Sequence, residues 1–158
     1  MLQFKSLTSE SEHPLKILIS EIPNFTQEEK NVAYELIETT LKGSNEYQFI
    51  LAYEYTDKIT LTGYICYGRT PMTASTFDLY WIATHPNHLR KGIGRKLMME
   101  LVKIVKAENG TLLRLETSSQ ESYNETHHFY INCGFEKIAI IKDFYKKKDD
   151  LITYVKYL

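Results

Sequence analysis

The sequence predicts an α/β fold built on one mixed sheet, and two observations lead to this prediction. Apolar residues recur at helical spacing in some segments, whereas other segments are runs of β-branched and aromatic residues typical of strands. The resulting order of elements is β-α-α-β-β-β-α-β-α-β-β. Strands joined by a hairpin are antiparallel and strands joined through a helix are parallel. About seven strands flanked by about four helices are therefore expected to form a mixed sheet.

A capped helix is the clearest element near the N-terminus. Thr26-Gln27-Glu28-Glu29 has the form of a capping box, and the apolar residues that follow lie on one helical face until Gly43 ends the helix. Residues 10–21 carry a weaker helical pattern, and Leu2 to Leu7 is predicted to be a short strand. Two helices are thus expected before the main part of the sheet.

The hydrophobic period then changes to that of strands. Tyr47 to Tyr55 and Ile59 to Gly68 are joined by Thr56-Asp57-Lys58, which predicts a hairpin. A further strand, Thr76 to Thr84, leads towards the glycine turn at residues 90–95.

The second half of the chain alternates helices with strands. A helix begins at Ile93 and is closed by Asn109-Gly110. The remaining elements are a strand at Leu112 to Glu116, a helix at about Asn124 to Asn132, and strands near Glu136 to Lys142 and Leu151 to Tyr157. No linker rich in proline, glycine or serine divides the chain, so residues 1–158 are predicted to form a single domain.

Composition argues against several classes of partner. The net charge is -1 and the basic residues are dispersed, so no nucleic-acid partner is expected. No apolar run approaches membrane-spanning length and the N-terminus lacks a signal-peptide core, so we expect no membrane partner and a cytoplasmic location.

The histidines and cysteines lack metal-ligand spacing, so no metal requirement is expected. Cys66 and Cys133 are too few for a disulfide framework and fit reduced thiols in a cytosol. His85 and His88 flank Pro86 without a nearby set of carboxylates or thiols. His127 and His128 are adjacent on a short helix, so their side chains point in different directions and are not expected to share a metal ion.

The turn at residues 90–95 predicts an anion site. A glycine turn between a strand and a helix presents unpaired backbone N–H groups at the positive end of the helix dipole. Gly92 and Gly94 are too close together for a Walker A loop. A dinucleotide-binding fingerprint would need a third glycine or alanine where this chain has Leu97.

Two motifs together resemble those of the GNAT N-acyltransferase superfamily. They are His85-Pro86-Asn87-His88-Leu89-Arg90-Lys91-Gly92-Ile93-Gly94 and, about thirty-five residues later, Phe129-Tyr130-Ile131-Asn132-Cys133-Gly134-Phe135. The resemblance covers roughly Tyr47 to Leu158, and it implies a sheet splayed between its fourth and fifth strands. It also implies that the glycine loop wraps the pyrophosphate of acetyl-CoA. One departure is Leu89, because the family usually has arginine or glutamine there.

The resemblance further implies which residues bind the cofactor. Main-chain N–H groups near Ile82, Ala83 and Thr84 would polarise the thioester carbonyl where the strand is splayed. The glycine loop and the tyrosine helix would hold the rest of the molecule through Leu89, Arg90, Lys91, Gly92, Ile93, Gly94, Arg95, Thr126 and Phe129.

The chemistry of acyl transfer and the family resemblance together indicate two catalytic roles, although a helical tyrosine beside Phe129 is more often a packing residue. Tyr130 is the candidate general acid, because a phenol with a pKa of about 10 can protonate a thiolate leaving group of about 8.5. Asp78 is the first candidate for the base that receives the amine proton, and strand alternation is expected to put it on the same face as Tyr80 and Ile82. Glu116 or a held water is the alternative base, and Asp78 could instead cap a turn or pair with a lysine.

These residues predict an acetyl-CoA-dependent N-acetyltransferase. It would transfer an acetyl group to a primary amine of a small molecule or peptide by direct attack on the thioester. A catalytically silent acyl-CoA-binding regulatory module is the alternative, and a nucleotide-binding protein is the third. The sequence leaves the acceptor and the acyl chain length open, and exposed strand edges allow a homodimer.

Overall fold

The computed structural model describes residues 1–158 as seven β-strands and four α-helices. The strands are β1 (Leu2–Lys5), β2 (Gln48–Tyr55), β3 (Ile59–Arg69), β4 (Thr76–Thr84), β5 (Leu112–Ser118), β6 (Glu136–Lys146) and β7 (Asp149–Tyr157). The helices are α1 (Ser9–Ser20), α2 (Gln27–Leu41), α3 (Ile93–Ala107) and α4 (Asn124–Asn132). The predicted order of helices and strands is confirmed. Two short 3₁₀ turns, Pro86–His88 and Glu121–Tyr123, were not predicted.

All seven strands belong to one sheet, in the order β1-β2-β3-β4-β5-β7-β6. The pair β4–β5 is parallel and every other pair is antiparallel, which confirms the predicted mixed sheet. Helix α3 makes the crossover that a parallel pair requires. The strand β1 pairs antiparallel with β2 although two helices separate them, because a pair of helices can return the chain to the end it left.

A hydrophobic cluster covers each face of the sheet. The first cluster packs α3 and α4 against the sheet, and its α3 members are Ile93, Leu97, Met98, Leu101 and Val105. The second cluster packs α1 and α2 against β2, β3 and part of β4, and its helical members are Leu15, Leu18, Ile19, Ala33 and Ile37. The first cluster also includes residues of β5 and β7. Because each cluster covers one face, the centre of the sheet lies between two layers of helices.

A bulge in β4 changes which residues share a face. Cys66 of β3 lies opposite Trp81 and Tyr67 lies opposite Leu79, so Tyr80 is the extra residue. Leu79 and Ile82 therefore both pack on the first cluster, whereas Trp81 packs on the second. The expectation that strict alternation puts Asp78 and Ile82 on one face is wrong, because the bulge resets the period.

The parallel pair is short, and the two strands then separate. Residues Thr76–Asp78 of β4 pair with Leu112–Arg114 of β5, and no pairing continues beyond them. The carboxyl half of β4, from Leu79 to Thr84, is paired only with β3. The predicted splay between the fourth and fifth strands is confirmed, and it opens a gap at the carboxyl ends of both strands.

The edge strand β6 is exposed along its whole length. It pairs with β7 alone, and its large apolar side chains Ile138, Ile140 and Ile141 are each about half exposed. The homodimer expected from exposed strand edges stays a prediction. None of the helices is at once long enough and apolar enough to span a membrane.

Candidate active site

The glycine loop presents a row of free backbone amides. Gly92 caps α3 in the left-handed conformation with φ of 74°, and Arg90 is also left-handed with φ of 60°. The first amide after the loop to find an acceptor is that of Lys96, which donates to the Gly92 carbonyl at 3.1 Å. The amides of residues 90–95 donate to no protein acceptor, and they point from the positive end of α3. This arrangement can bind a phosphate or diphosphate.

Two histidines anchor the segment that leads into this loop. His85 Nδ1 accepts the Asn87 amide, and its Nε2 lies 2.6 Å from a carboxylate oxygen of Glu21 at the end of α1. His88 Nδ1 lies 3.2 Å from a carboxylate oxygen of Glu54 in β2. Burial and, after it, the charge of Lys91 lower the pKa of His88. Sequence reasoning weighed these histidines only as metal ligands and missed their anchoring contacts.

The glycine loop packs closely on α4. A Cβ atom added to Gly94 would lie 3.4 Å from the Phe129 ring and 3.6 Å from the Thr84 hydroxyl oxygen. Both distances are ordinary van der Waals contacts, so the start of α3 lies directly against α4 and against the end of β4. The contact joins the two sequence motifs, which are far apart in the chain.

A groove with a volume of about 1320 Å³ runs through the gap between β4 and β5. Every residue expected to bind the cofactor lines it except Lys91, whose side chain lies outside. The expected catalytic residues, Tyr130 and Asp78, line the same groove. No three His, Cys, Asp or Glu side chains come together in a way that could hold a metal ion.

Tyr130 brings a phenol to the groove from the face that carries α3 and α4. Its ring packs against Phe129, Phe135 and Tyr154 at centroid distances of 5.6 to 5.9 Å, and the residue is 7% exposed. Its hydroxyl makes no hydrogen bond to the protein. Burial raises the pKa of Tyr130, so the phenol keeps its proton at neutral pH.

Asp78 is held in a polar contact at the base of the gap. Arg114 Nε, on the neighbouring position of β5, donates to one carboxylate oxygen at 2.7 Å, and the Thr70 hydroxyl donates to the other at 2.8 Å. The Asp78 residue is only 6% exposed. Its partner is an arginine rather than the lysine considered from the sequence, and both of its oxygens are already engaged.

Glu116 is the free carboxylate of the gap. It alternates along β5 with Leu115, which packs on the first cluster, so its side chain leaves the sheet on the opposite face, that of α1 and α2. Its side chain is 45% exposed, and its nearest cation is Arg114 at 3.9 Å. Unlike Asp78, it has an oxygen available to accept a proton.

The distal end of the groove, away from the glycine loop, is acidic and aromatic. Its charged lining comes from α2, β4, β5, β6, β7 and the nearby turns, and comprises Glu28, Glu29, Asp78, Glu116, Glu121 and Asp149 against Arg114 and Lys146. Burial raises the pKa of Tyr145, and the carboxylates of Glu116, Asp149 and Glu29 raise it further. Phe25 packs edge-on against Trp81 at 5.0 Å. A protonated amine is the ligand that such a lining favours.

A contact also joins the two walls of this distal end. The Tyr123 hydroxyl donates to Glu29 at 3.0 Å, across 94 positions of sequence. Asp149, which is 5% exposed, accepts from the Ser118 hydroxyl and from the Gln120 amide. The capping box identifies Glu29 only as part of a helix start, no local motif signals the other residues, and sequence reasoning missed all of these contacts.

The open parallel pair, the amide-lined turn and the buried tyrosine together define an acyltransferase domain. Residues 45–137 match the sequence model of the acetyltransferase (GNAT) domain. The chain belongs to the GNAT acetyltransferase family. No curated protein matches it in sequence.

Solved structures of the same family share the fold. A protein assigned to the GNAT acetyltransferases, from Desulfovibrio desulfuricans, is 36% identical, with 99% of both chains covered and a TM-score of 0.93. The ribosomal-protein-S18-alanine N-acetyltransferase of Escherichia coli is 18% identical, with 99% of this chain and 94% of that chain covered and a TM-score of 0.77. The PaiA N-acetyltransferase of Thermoplasma acidophilum, in complex with coenzyme A, is 20% identical, with 97% of this chain and 98% of that chain covered and a TM-score of 0.68.

Proposed function

We propose that the protein is an acetyl-CoA-dependent N-acetyltransferase that acts as a single 158-residue domain on a primary amine. One observation carries this proposal: the free amides of residues 90–95 and the unbonded hydroxyl of Tyr130 face the same groove. The amides suit the diphosphate of coenzyme A, with Arg90 and Arg95 adding charge. The phenol suits the sulfur at the other end of that molecule.

The two reactants would meet in the gap from opposite faces of the sheet. The glycine loop and Tyr130 belong to the face of α3 and α4, so they would hold the thioester there. Glu116 and the acidic distal end belong to the face of α1 and α2, where the amine would arrive. The main-chain N–H groups of Ile82 and Thr84, which face the gap on the half of β4 that β5 leaves unpaired, would donate to the thioester carbonyl, whereas that of Ala83 is directed towards β3.

The proposed reaction is balanced in protons and electrons. Glu116, directly or through a water, first takes the proton of the ammonium form and passes it to the solvent. The neutral amine nitrogen then attacks the carbonyl carbon, and the second proton that it loses follows the same route. The carbon–sulfur bond breaks, the departing thiolate takes the proton of Tyr130, and the phenolate is reprotonated from the solvent, so the net reaction releases one proton. We assign the base to Glu116 rather than Asp78, because Arg114 and Thr70 already occupy both oxygens of Asp78.

The charge of the distal end supports a cationic acceptor. An amine is protonated in neutral water, with a reference pKa of about 10, and the carboxylates of this end would attract it in that form. Glu116 would then remove the proton within the groove. Acceptors that carry an additional positive charge are expected to react faster than acceptors that carry a carboxylate beside the amine.

The test measures release of free coenzyme A when the purified protein is mixed with acetyl-CoA and a panel of amines. We expect turnover with at least one cationic amine, and about 10²-fold lower kcat for Tyr130→Phe with unchanged affinity for acetyl-CoA. Tyr157→Phe is the matched control, because Tyr157 is 73% exposed on β7 and lies outside the groove. Equal turnover by the wild type and Tyr130→Phe would remove the general-acid assignment.

A catalytically silent acyl-CoA-binding module would behave differently in the same experiment. It would bind acetyl-CoA tightly in calorimetry and release no coenzyme A with any amine. The position of Tyr130 favours the enzyme over the module, because its hydroxyl has no protein partner and the residue lines the groove, where the phenol is available to a bound thioester.

A further inference from the structure

His127 joins three elements that surround Tyr130. Its Nε2 atom lies 3.0 Å from the Ser118 carbonyl oxygen at the end of β5, and its Nδ1 atom lies 2.8 Å from the Tyr154 hydroxyl oxygen on β7. A carbonyl oxygen can only accept, so Nε2 carries the hydrogen of the neutral ring. Nδ1 is then the acceptor, and the Tyr154 hydroxyl donates to it. One side chain of α4 is thereby tied to two strands.

These ties lie directly behind the phenol of Tyr130. His127 precedes Tyr130 by three residues, so the two side chains lie on one face of α4. The Tyr154 ring packs on both, at centroid distances of 5.9 Å from Tyr130 and 5.7 Å from His127. Ser118 follows Glu116 by two residues on β5. The position of Tyr130 relative to Glu116 therefore depends on the hydrogen bonds of His127.

We propose that His127 is a positioning residue for acyl transfer, which holds α4 against β5 and β7 so that the Tyr130 hydroxyl faces the sulfur of the thioester. This inference rests on the proposed role of Tyr130 as general acid. It assigns a function to a histidine that touches neither the amide loop nor the distal end of the groove.

The surroundings of His127 keep its ring neutral, as the hydrogen bonds require. Burial lowers the pKa of His127 most, and electrostatic interactions with Lys137 on β6 and with the neighbouring His128 lower it further, whereas the hydrogen bond to the Ser118 carbonyl opposes them. At neutral pH the ring therefore presents one donor and one acceptor, in the order that Ser118 and Tyr154 need.

A double-mutant cycle in kcat tests the proposal. His127→Asn cannot hold both partners, and we expect it to lower kcat about tenfold in the wild type, because a small displacement of a catalytic group is costly. In the Tyr130→Phe background the same substitution is expected to lower kcat less than about twofold, since residues that act as a unit are not additive. Tyr154→Phe removes only the donor hydroxyl and provides a second, conservative variant that is expected to show the same pattern.

His128→Asn is the matched control, because His128 is the exposed neighbour of His127 on the same helix and makes no hydrogen bond to the protein. It is expected to leave kcat unchanged in both backgrounds. Equal losses from His127→Asn with and without Tyr130 would overturn the proposal, because they would indicate a general structural effect. If Tyr130→Phe alone left kcat unchanged, the assignment of Tyr130 as the general acid would also be overturned. That result is distinguishable from equal losses of kcat caused by His127→Asn in the two backgrounds.

Discussion

The two ends of the groove present different chemical groups: main-chain amides at one end and side chains at the other. At the cofactor end the ligand-facing groups are main-chain amides of residues 90–95, oriented by the start of α3 and by Gly92. At the distal end they are side chains that come from α2, β4, β5 and β7, with Glu116 and Asp149 among them. The first end requires a backbone conformation, whereas the second requires particular functional groups from distant parts of the chain.

This difference determines how each end responds to substitution. Amides persist whatever the side chains are, so the cofactor end should be sensitive mainly to changes in backbone conformation. The distal end should be sensitive to the loss of single carboxylates. Variants that affect one substrate and spare the other therefore test the division directly.

The largest effect is expected from Glu116→Gln at the distal end. Without a base, the protonated amine cannot react, so kcat/KM for the amine should fall about 10²-fold at pH 7. The loss should shrink at high pH, where free amine becomes abundant, and the dissociation constant of acetyl-CoA should not change. Glu35→Gln, which changes an exposed carboxylate of α2 outside the groove, should leave kcat/KM unchanged. If kcat/KM of Glu116→Gln had the same value and the same pH dependence as that of the wild type, Glu116 would be excluded as the base.

An intermediate effect is expected from Gly92→Ala at the cofactor end. Gly92 has φ of 74°, and a Cβ atom there would meet nothing within 4 Å, so the substitution acts through the backbone alone. The left-handed conformation costs a non-glycine residue about 1–2 kcal/mol, which corresponds to roughly tenfold weaker binding of acetyl-CoA if the loop relaxes. Titration calorimetry measures this change, and the KM of the amine should stay constant.

Gly43→Ala is the control for this variant. Gly43 also has a positive φ, 97°, with no atom within 4 Å of an added Cβ, but it follows α2 and lies outside the groove. It should lower stability by a similar amount and leave the affinity for acetyl-CoA unchanged. Comparable weakening by both glycine variants would show that the loop conformation has no specific role.

The smallest effect is expected from Leu89→Arg, which restores the residue type usual in the family. Leu89 is 57% exposed and lines the groove beside the amide row. An added guanidinium should tighten acetyl-CoA binding about threefold at low salt, and the gain should disappear at high salt because exposed charges are screened. Met99→Arg adds the same charge to an exposed position of α3 outside the groove, and it should change nothing. Salt-independent tightening would argue against an electrostatic contribution.

The sequence predicted the turn of free amides at residues 90–95 because the signals for that turn are local. The spacing of Gly92 and Gly94 after a strand, and Tyr130 on a helix before a glycine, are patterns within single segments. The splay of the sheet followed from the family resemblance that these patterns support. Strand and helix order followed from hydrophobic period, which depends only on neighbouring residues.

The distal end was not predictable because its contacts join remote positions. Asp78 meets Arg114 across 36 residues, and Glu29 meets Tyr123 across 94. The bulge at Tyr80 is a single extra residue that no periodicity reveals, yet it reverses the faces of the following positions in β4. A lining assembled from such distant positions becomes visible only in the folded chain.

The gap between β4 and β5 passes through the sheet and is accessible to the two helical layers separately. Each substrate can therefore bind while the other is already bound, so we expect a ternary complex. Double-reciprocal plots of initial rates should then intersect rather than run parallel. The acetylated amine and free coenzyme A should likewise depart by separate routes. Slow dissociation of one product would then not trap the other.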